Sequence, residues 1–125
     1  MAQLAIKTVD KALASALEPA EPIDRAHLAR MTFGDRSLER EVLQLFDRQA
    51  EILIDRMRSS DAAAVGALAH TLKGSAASVG AVSVAAAAAA VEQAATASAR
   101  GLAIEKLDLA VDAVRAAIGD MLRAA

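Results

Sequence analysis

Cysteine, tryptophan and tyrosine are absent from the 125 residues, and only two phenylalanines, two prolines and two histidines occur. Without cysteine there is no disulfide framework and no thiolate zinc site, which fits a reducing compartment. A core nearly free of aromatics but rich in alanine favours close-packed helices over sheets. No basic cluster is present, and the formal net charge of −2 argues against nucleic acid as a partner. No apolar run reaches the roughly 18 residues of a membrane span, because the Ala85 to Ala90 stretch is short and only weakly hydrophobic. The first residues do not follow the pattern of a charged region, an apolar core and a cleavage site, so a cytoplasmic location is expected. No Gly-rich nucleotide loop, acidic metal cluster, paired carboxylates or nucleophile triad can be assembled, so neither ATP binding nor independent turnover is expected.

Helical periodicity, by contrast, runs through most of the chain, whose length suits one domain with a single core. Residues 3–17 read as an amphipathic helix carrying Ile6, Val9, Leu13 and Leu17, and Pro19 and Pro22 end it. Asp24 reads as the N-cap of a short helix with Leu28 and Met31, and Phe33-Gly34-Asp35 as a turn. Asp35 or Ser37 can cap a helix over 36–58, striped by Leu38, Val42, Leu45, Phe46, Gln49, Leu53 and Met57, and widened by Leu43, Ile52 and Ile54. Ser59-Ser60-Asp61 starts a helix over 61–79, and Gly80 reads as its C-cap. An alanine-rich helix follows over 82–99, with Gly101 as its stop. The last helix, 104–123, carries Ile104, Leu107, Val111, Val114, Ile118 and Met121. Short connections make neighbours antiparallel. The expected fold is all-α: an up-down antiparallel four-helix bundle within residues 23–125, with a further N-terminal helix and proline-containing linker over 1–22.

One stretch departs from this plain pattern. In Ala69-His70-Thr71-Leu72-Lys73-Gly74-Ser75, the apolar positions Val65, Leu68, Leu72, Ala76 and Val79 define a buried face. At about 100° per residue, His70 falls opposite that face and points to solvent. Its neighbours there, Ala63, Gly66, Ala67, Gly74 and Ala77, are all small, and Lys73 lies within side-chain reach. A neutral imidazole is a nucleophile near neutral pH, and an ammonium lowers the energy of a phosphoryl group in transfer. Gly74 costs roughly 1 kcal/mol of helix propensity relative to Ala, which suggests that a side chain there would obstruct approach. His27 has no cation three residues on and reads as a surface or packing residue. No H-x-x-x-H spacing or His/Glu cluster supports a metal site.

The run from His70 to Ala76, closed by Gly80, resembles the motif of the histidine-containing phosphotransfer (HPt) domain family. The resemblance extends to Phe33-Gly34-Asp35, Phe46 and Val91-Glu92, and covers roughly residues 23–122. It implies that His70 accepts a phosphoryl group from a receiver domain's aspartyl phosphate and passes it to another receiver. It also implies that Lys73 stabilises that group and that Gly74 leaves room for it. The family often places a polar residue, commonly Gln, one helix over; Glu92 stands at that position with Gln93 beside it, and either residue can face His70. Ala63, Gly66, Ala67, Ala77, Glu92 and Gln93 are the expected partner-docking residues.

The expected partners are response-regulator receiver domains and a hybrid or other histidine kinase, with no nucleic acid and no membrane. A monomer without cofactor is expected, with Mg²⁺ supplied by the partner receiver. Two other readings stay open: a helical module that binds and titrates a receiver or kinase without transfer, and a kinase-substrate domain of chemotaxis type.

Overall fold

The computed structural model describes residues 21–124, so the expected helix over 3–17 lies outside the described residues. Within them the chain forms α1 (Arg25–Met31), α2 (Arg36–Arg58), α3 (Ala62–Val79), α4 (Val82–Gln93) and α5 (Ala97–Arg123), with no strand. Connections of three, two and three residues turn α2 into α3, α3 into α4 and α4 into α5. Each helix therefore runs back along its predecessor. α2, α3, α4 and α5 contact one another in ring order, and α1 rests on α3. The architecture is the all-α bundle expected from the periodicity.

Local chemistry sets the helix starts. Asp24, Asp35, Asp61 and Thr96 each accept a hydrogen bond from the backbone N–H three residues on, at 2.9–3.1 Å. Such caps contribute about 1 kcal/mol each by satisfying an orphan donor. α3 ends at Gly80, whose φ of +82° is left-handed. That backbone turn lets the Gly80 carbonyl accept from the Asp24 N–H at 2.8 Å, which ties the start of α1 to the end of α3. His27 adds a second tie: its Nε2–H donates to the Ser78 carbonyl at 3.1 Å. His27 is thus a packing residue at the foot of α3.

The core is built from thin and medium side chains. Leu43, Phe46, Leu53, Ile54 and Met57 of α2 meet Val65, Leu72 and Val79 of α3, Val84 and Val91 of α4, and Leu107, Val111, Val114 and Ile118 of α5. Ala50, Ala69, Ala76 and Ala88 are fully buried between them. Small residues at these positions let helix backbones approach closely, which compensates for the scarcity of aromatics.

Three sequence expectations need correction. The alanine-rich helix stops at Gln93, and the last helix starts at Ala97, so Gly101 lies inside α5. The break occurs because Ala94 adopts extended backbone and Thr96 caps the new helix. On α2 the buried arc is Leu43, Phe46, Ala50, Leu53, Ile54 and Met57, whereas Leu38, Leu45 and Ile52 are exposed. The buried arc, with Ala50 fully enclosed, is rotated about the helix axis relative to the expected stripe. On α1 only Leu28 is buried, and Met31 is exposed at the helix end.

Surface ion pairs join α2 to α5. Arg115 donates to Asp47 at 2.8 Å and to Glu51 at 3.2 Å, and Arg58 pairs with Asp108. The hydrogen bond to Asp47 raises the Arg115 guanidinium above its ordinary range, so its charge is secure. Exposed pairs of this kind each contribute little to stability.

Candidate functional site

The site lies midway along α3. Val65, Ala69, Leu72, Ala76 and Val79 pin one face of this helix into the core, and Leu68 is half-buried beside them. That anchoring fixes the opposite face toward water. The His70 side chain is 70% exposed there, as the spacing predicts. Around it Ala63, Ala67, Gly74 and Ala77 are exposed and Gly66 is half-buried, none with a side chain larger than methyl. A Cβ built on Gly74 would meet nothing within 4 Å among the described residues, so their packing makes no demand for glycine there.

α4 supplies the partner. Between Glu92 and Gln93 it is Glu92 that faces His70. The His70 Nδ1 lies 3.1 and 3.2 Å from the two Glu92 carboxylate oxygens. The Lys73 ammonium reaches the same carboxylate at 3.1 Å. The three side chains form one charged cluster across the α3–α4 seam. Lys73 is the leading cause, and His70 the next, of a Glu92 carboxyl held below the ordinary carboxylate range. Glu92 is therefore ionised near neutral pH.

This contact has a consequence for the ring. An ionised carboxylate only accepts hydrogen bonds, so Nδ1 must carry the proton that it shares with Glu92. In a neutral imidazole the other nitrogen, Nε2, then holds a free lone pair. The ring is oriented by its carboxylate with its nucleophilic atom left to solvent.

A feature that the sequence reading missed lies between α2 and α3. Val42, Leu45, Phe46 and Gln49 of α2 and Ser75, Ser78 and Val79 of α3 line a shallow groove of about 240 Å³. Leu38, Leu45 and Ile52, seven residues apart, were the available signal: a second apolar line on α2 outside the core arc. No group of three or more potential metal ligands occurs among the described residues. None of the described helices is long and apolar enough to cross a membrane.

Fold and site together define a small helical bundle that presents one oriented imidazole on a bare helix face. The family model of the Hpt domain matches residues 40–122, two thirds of the sequence, and the chain belongs to that family. Its fold is shared with a crystal structure of a candidate histidine-containing phosphotransfer protein from rice. That protein is 23% identical, with a TM-score of 0.57; the match covers 98% of this chain and 90% of the rice chain. No curated protein matches the sequence. Hpt domains are phosphocarriers that interact with receiver domains and histidine kinases, and membership gives this chain a phosphotransfer role in a phosphorelay.

Proposed function

We propose that His70 is the phosphoacceptor, taking a phosphoryl group from a receiver's aspartyl phosphate and handing it to a second receiver. The observation that carries this reading is the Nδ1 contact with Glu92, which orients an exposed ring so that Nε2 holds the free lone pair of the neutral tautomer. The Nε2 lone pair attacks phosphorus in line with the acyl oxygen. The N–P bond forms, the bond from phosphorus to the bridging carboxyl oxygen of the receiver's aspartate breaks, and the electron pair leaves on that carboxylate. Transfer onward runs the same step in reverse with a different aspartate.

Lys73 compensates the charge gathering on the phosphoryl oxygens, a role that suits a cation three residues from the acceptor on one helix face. Gly74 leaves clearance one turn beyond. Docking uses the flat patch of Ala63, Gly66, Ala67 and Ala77, with Glu92 and Gln93 at its α4 edge. The apolar groove of Leu45, Phe46 and Val79, on the α2 side of α3, suits the hydrophobic part of an interface. Positioning and electrophilic metal chemistry come from the receiver, where Mg²⁺ resides, so the chain needs no cofactor of its own.

The test is phosphotransfer from a purified phosphorylated receiver to the full chain and to His70→Gln. The substitution sits on the exposed face and leaves helicity intact. Wild type becomes labelled in an acid-labile, base-stable form and the variant does not. Retained labelling in the variant removes His70 from the role, and complex formation without label on wild type identifies a binder that does not transfer.

A further inference from the structure

Resting on the reading of His70 as acceptor, we propose that Glu92 is a positioning residue for discharge: it keeps the proton on Nδ1 of the phosphorylated ring, so that the phosphoryl group departs from a neutral imidazole. The resting ring carries its hydrogen on Nδ1 against the Glu92 carboxylate at 3.1 Å. Attack by Nε2 adds a bond to phosphorus without removing that hydrogen. The product is a cationic ring with Nδ1–H on one side and a phosphoryl dianion on the other.

From this state, discharge is a clean step. An incoming carboxylate or water oxygen bonds to phosphorus, the P–N bond breaks, and the electron pair returns to Nε2. The ring leaves as neutral imidazole with Nδ1–H in place. If Nδ1 has lost its proton first, the same cleavage must expel imidazolate, a far poorer leaving group. The transferable fraction of phosphorylated protein therefore falls as pH rises through the titration of Nδ1–H.

The surroundings decide where that fall occurs. A carboxylate in direct hydrogen-bond contact favours the protonated ring both by charge and by accepting the proton's bond. Lys73 acts in the opposite sense, but its ammonium is itself paired with Glu92 at 3.1 Å and has the phosphoryl dianion as a second partner. From α2, the residues that wall the neighbouring groove are Val42, Leu45, Phe46 and Gln49, none of them titratable. From α1, His27 is bound to the Ser78 carbonyl, eight residues along α3 from His70 and about 12 Å away on the helix rise. Glu92 is thus the titratable group in hydrogen-bond contact with this ring among the described residues.

The experiment phosphorylates the full chain with potassium phosphoramidate, a small-molecule donor that needs no partner. Peptide mass spectrometry locates the label, and its hydrolysis rate is followed by ³¹P NMR between pH 5 and pH 10. Glu92→Gln keeps an oxygen acceptor of the same reach, removes the charge and replaces the second acceptor with an amide donor. The expected result is a downward shift of the pH–rate midpoint by about one unit in Glu92→Gln, with hydrolysis roughly tenfold slower than wild type above the midpoint. Circular dichroism should be unchanged. Superimposable profiles overturn the proposal. So does a uniform, pH-independent change in rate, which would mean that Glu92 acts only by repelling the phosphoryl dianion. Absence of label at His70 in wild type overturns the acceptor reading instead, whereas label at His70 with an unmoved midpoint overturns this inference alone.

Discussion

Replacing Gly74 separates what the fold requires from what the site requires. Gly74 lies inside α3 on the exposed face, and a methyl group there would touch nothing within 4 Å among the described residues. Glycine in a helix interior costs about 1 kcal/mol relative to alanine, through backbone entropy. With no steric penalty to offset that gain, Gly74→Ala should stabilise the protein by up to about 1 kcal/mol. For a chain of this length, that is a rise of roughly 4 °C in Tm. Gly74→Gln should fold comparably, since glutamine's helix propensity is close to alanine's. Its side chain, however, stands one turn from His70 on the face from which a receiver must approach. Thermal melts and the initial rate of transfer from a phosphorylated receiver should therefore move in opposite directions. We expect melting at or above wild type for both variants, a modest loss of transfer rate for Gly74→Ala, and a loss of at least about tenfold for Gly74→Gln. A destabilised Gly74→Ala, or a Gly74→Gln variant that transfers at the wild-type rate, would refute the assignment of this glycine to access.

Other expectations concern the frame that holds the site. Leu72 is fully buried two residues from His70, so Leu72→Ala should cost about 2–5 kcal/mol in urea unfolding and loosen the helix that carries the acceptor. Gly80→Ala places a Cβ 2.8 Å from the Asp24 carbonyl oxygen at a φ of +82°. It should cost about 2–4 kcal/mol and expose the Asp24 amide to hydrogen exchange. The Glu92 carboxyl should titrate below the ordinary range in ¹³C NMR, and Lys73→Gln should move it back up, because Lys73 is the leading cause of the shift. The sign follows from linkage. A carboxyl depressed in the folded state stabilises the protein above its unfolded value, and that contribution fades as pH falls through the folded value.

Much of this architecture was legible in the residues because it depends on local spacing. His70 could be placed in solvent from the positions of Val65, Leu72, Ala76 and Val79, since one helix with one strong apolar face has only one way to sit. The cap Asp24 was legible for the same reason, since it stands directly before a periodic run, whereas Asp35 had Ser37 as a rival and Asp61 stood only as the end of Ser59-Ser60-Asp61. The boundary between α4 and α5 was not, because alanine flanks it on both sides and carries no directional signal. Thr96 made the cap, and Gly101, the obvious stop, is helical. The rotation of α2 was hidden by an excess of apolar residues: Leu38, Leu45 and Ile52 satisfy a stripe as well as Leu43, Ala50 and Ile54 do. Which of these faces inward depends on the depth to which α2 seats against both α3 and α5. The choice between Glu92 and Gln93 is of the same kind. Adjacent residues on a helix point about 100° apart, and only the setting of α4 against α3 decides which one meets the imidazole.

Atom-level placement of the phosphoryl group tests the central claim most directly. After phosphorylation of the full chain by a receiver, a long-range ¹H–¹⁵N correlation spectrum distinguishes the two nitrogens of each histidine ring. The account predicts phosphorus on His70 Nε2, with a proton still on Nδ1 and the His27 ring unchanged. Phosphorus on His70 Nδ1, or on His27, would contradict it.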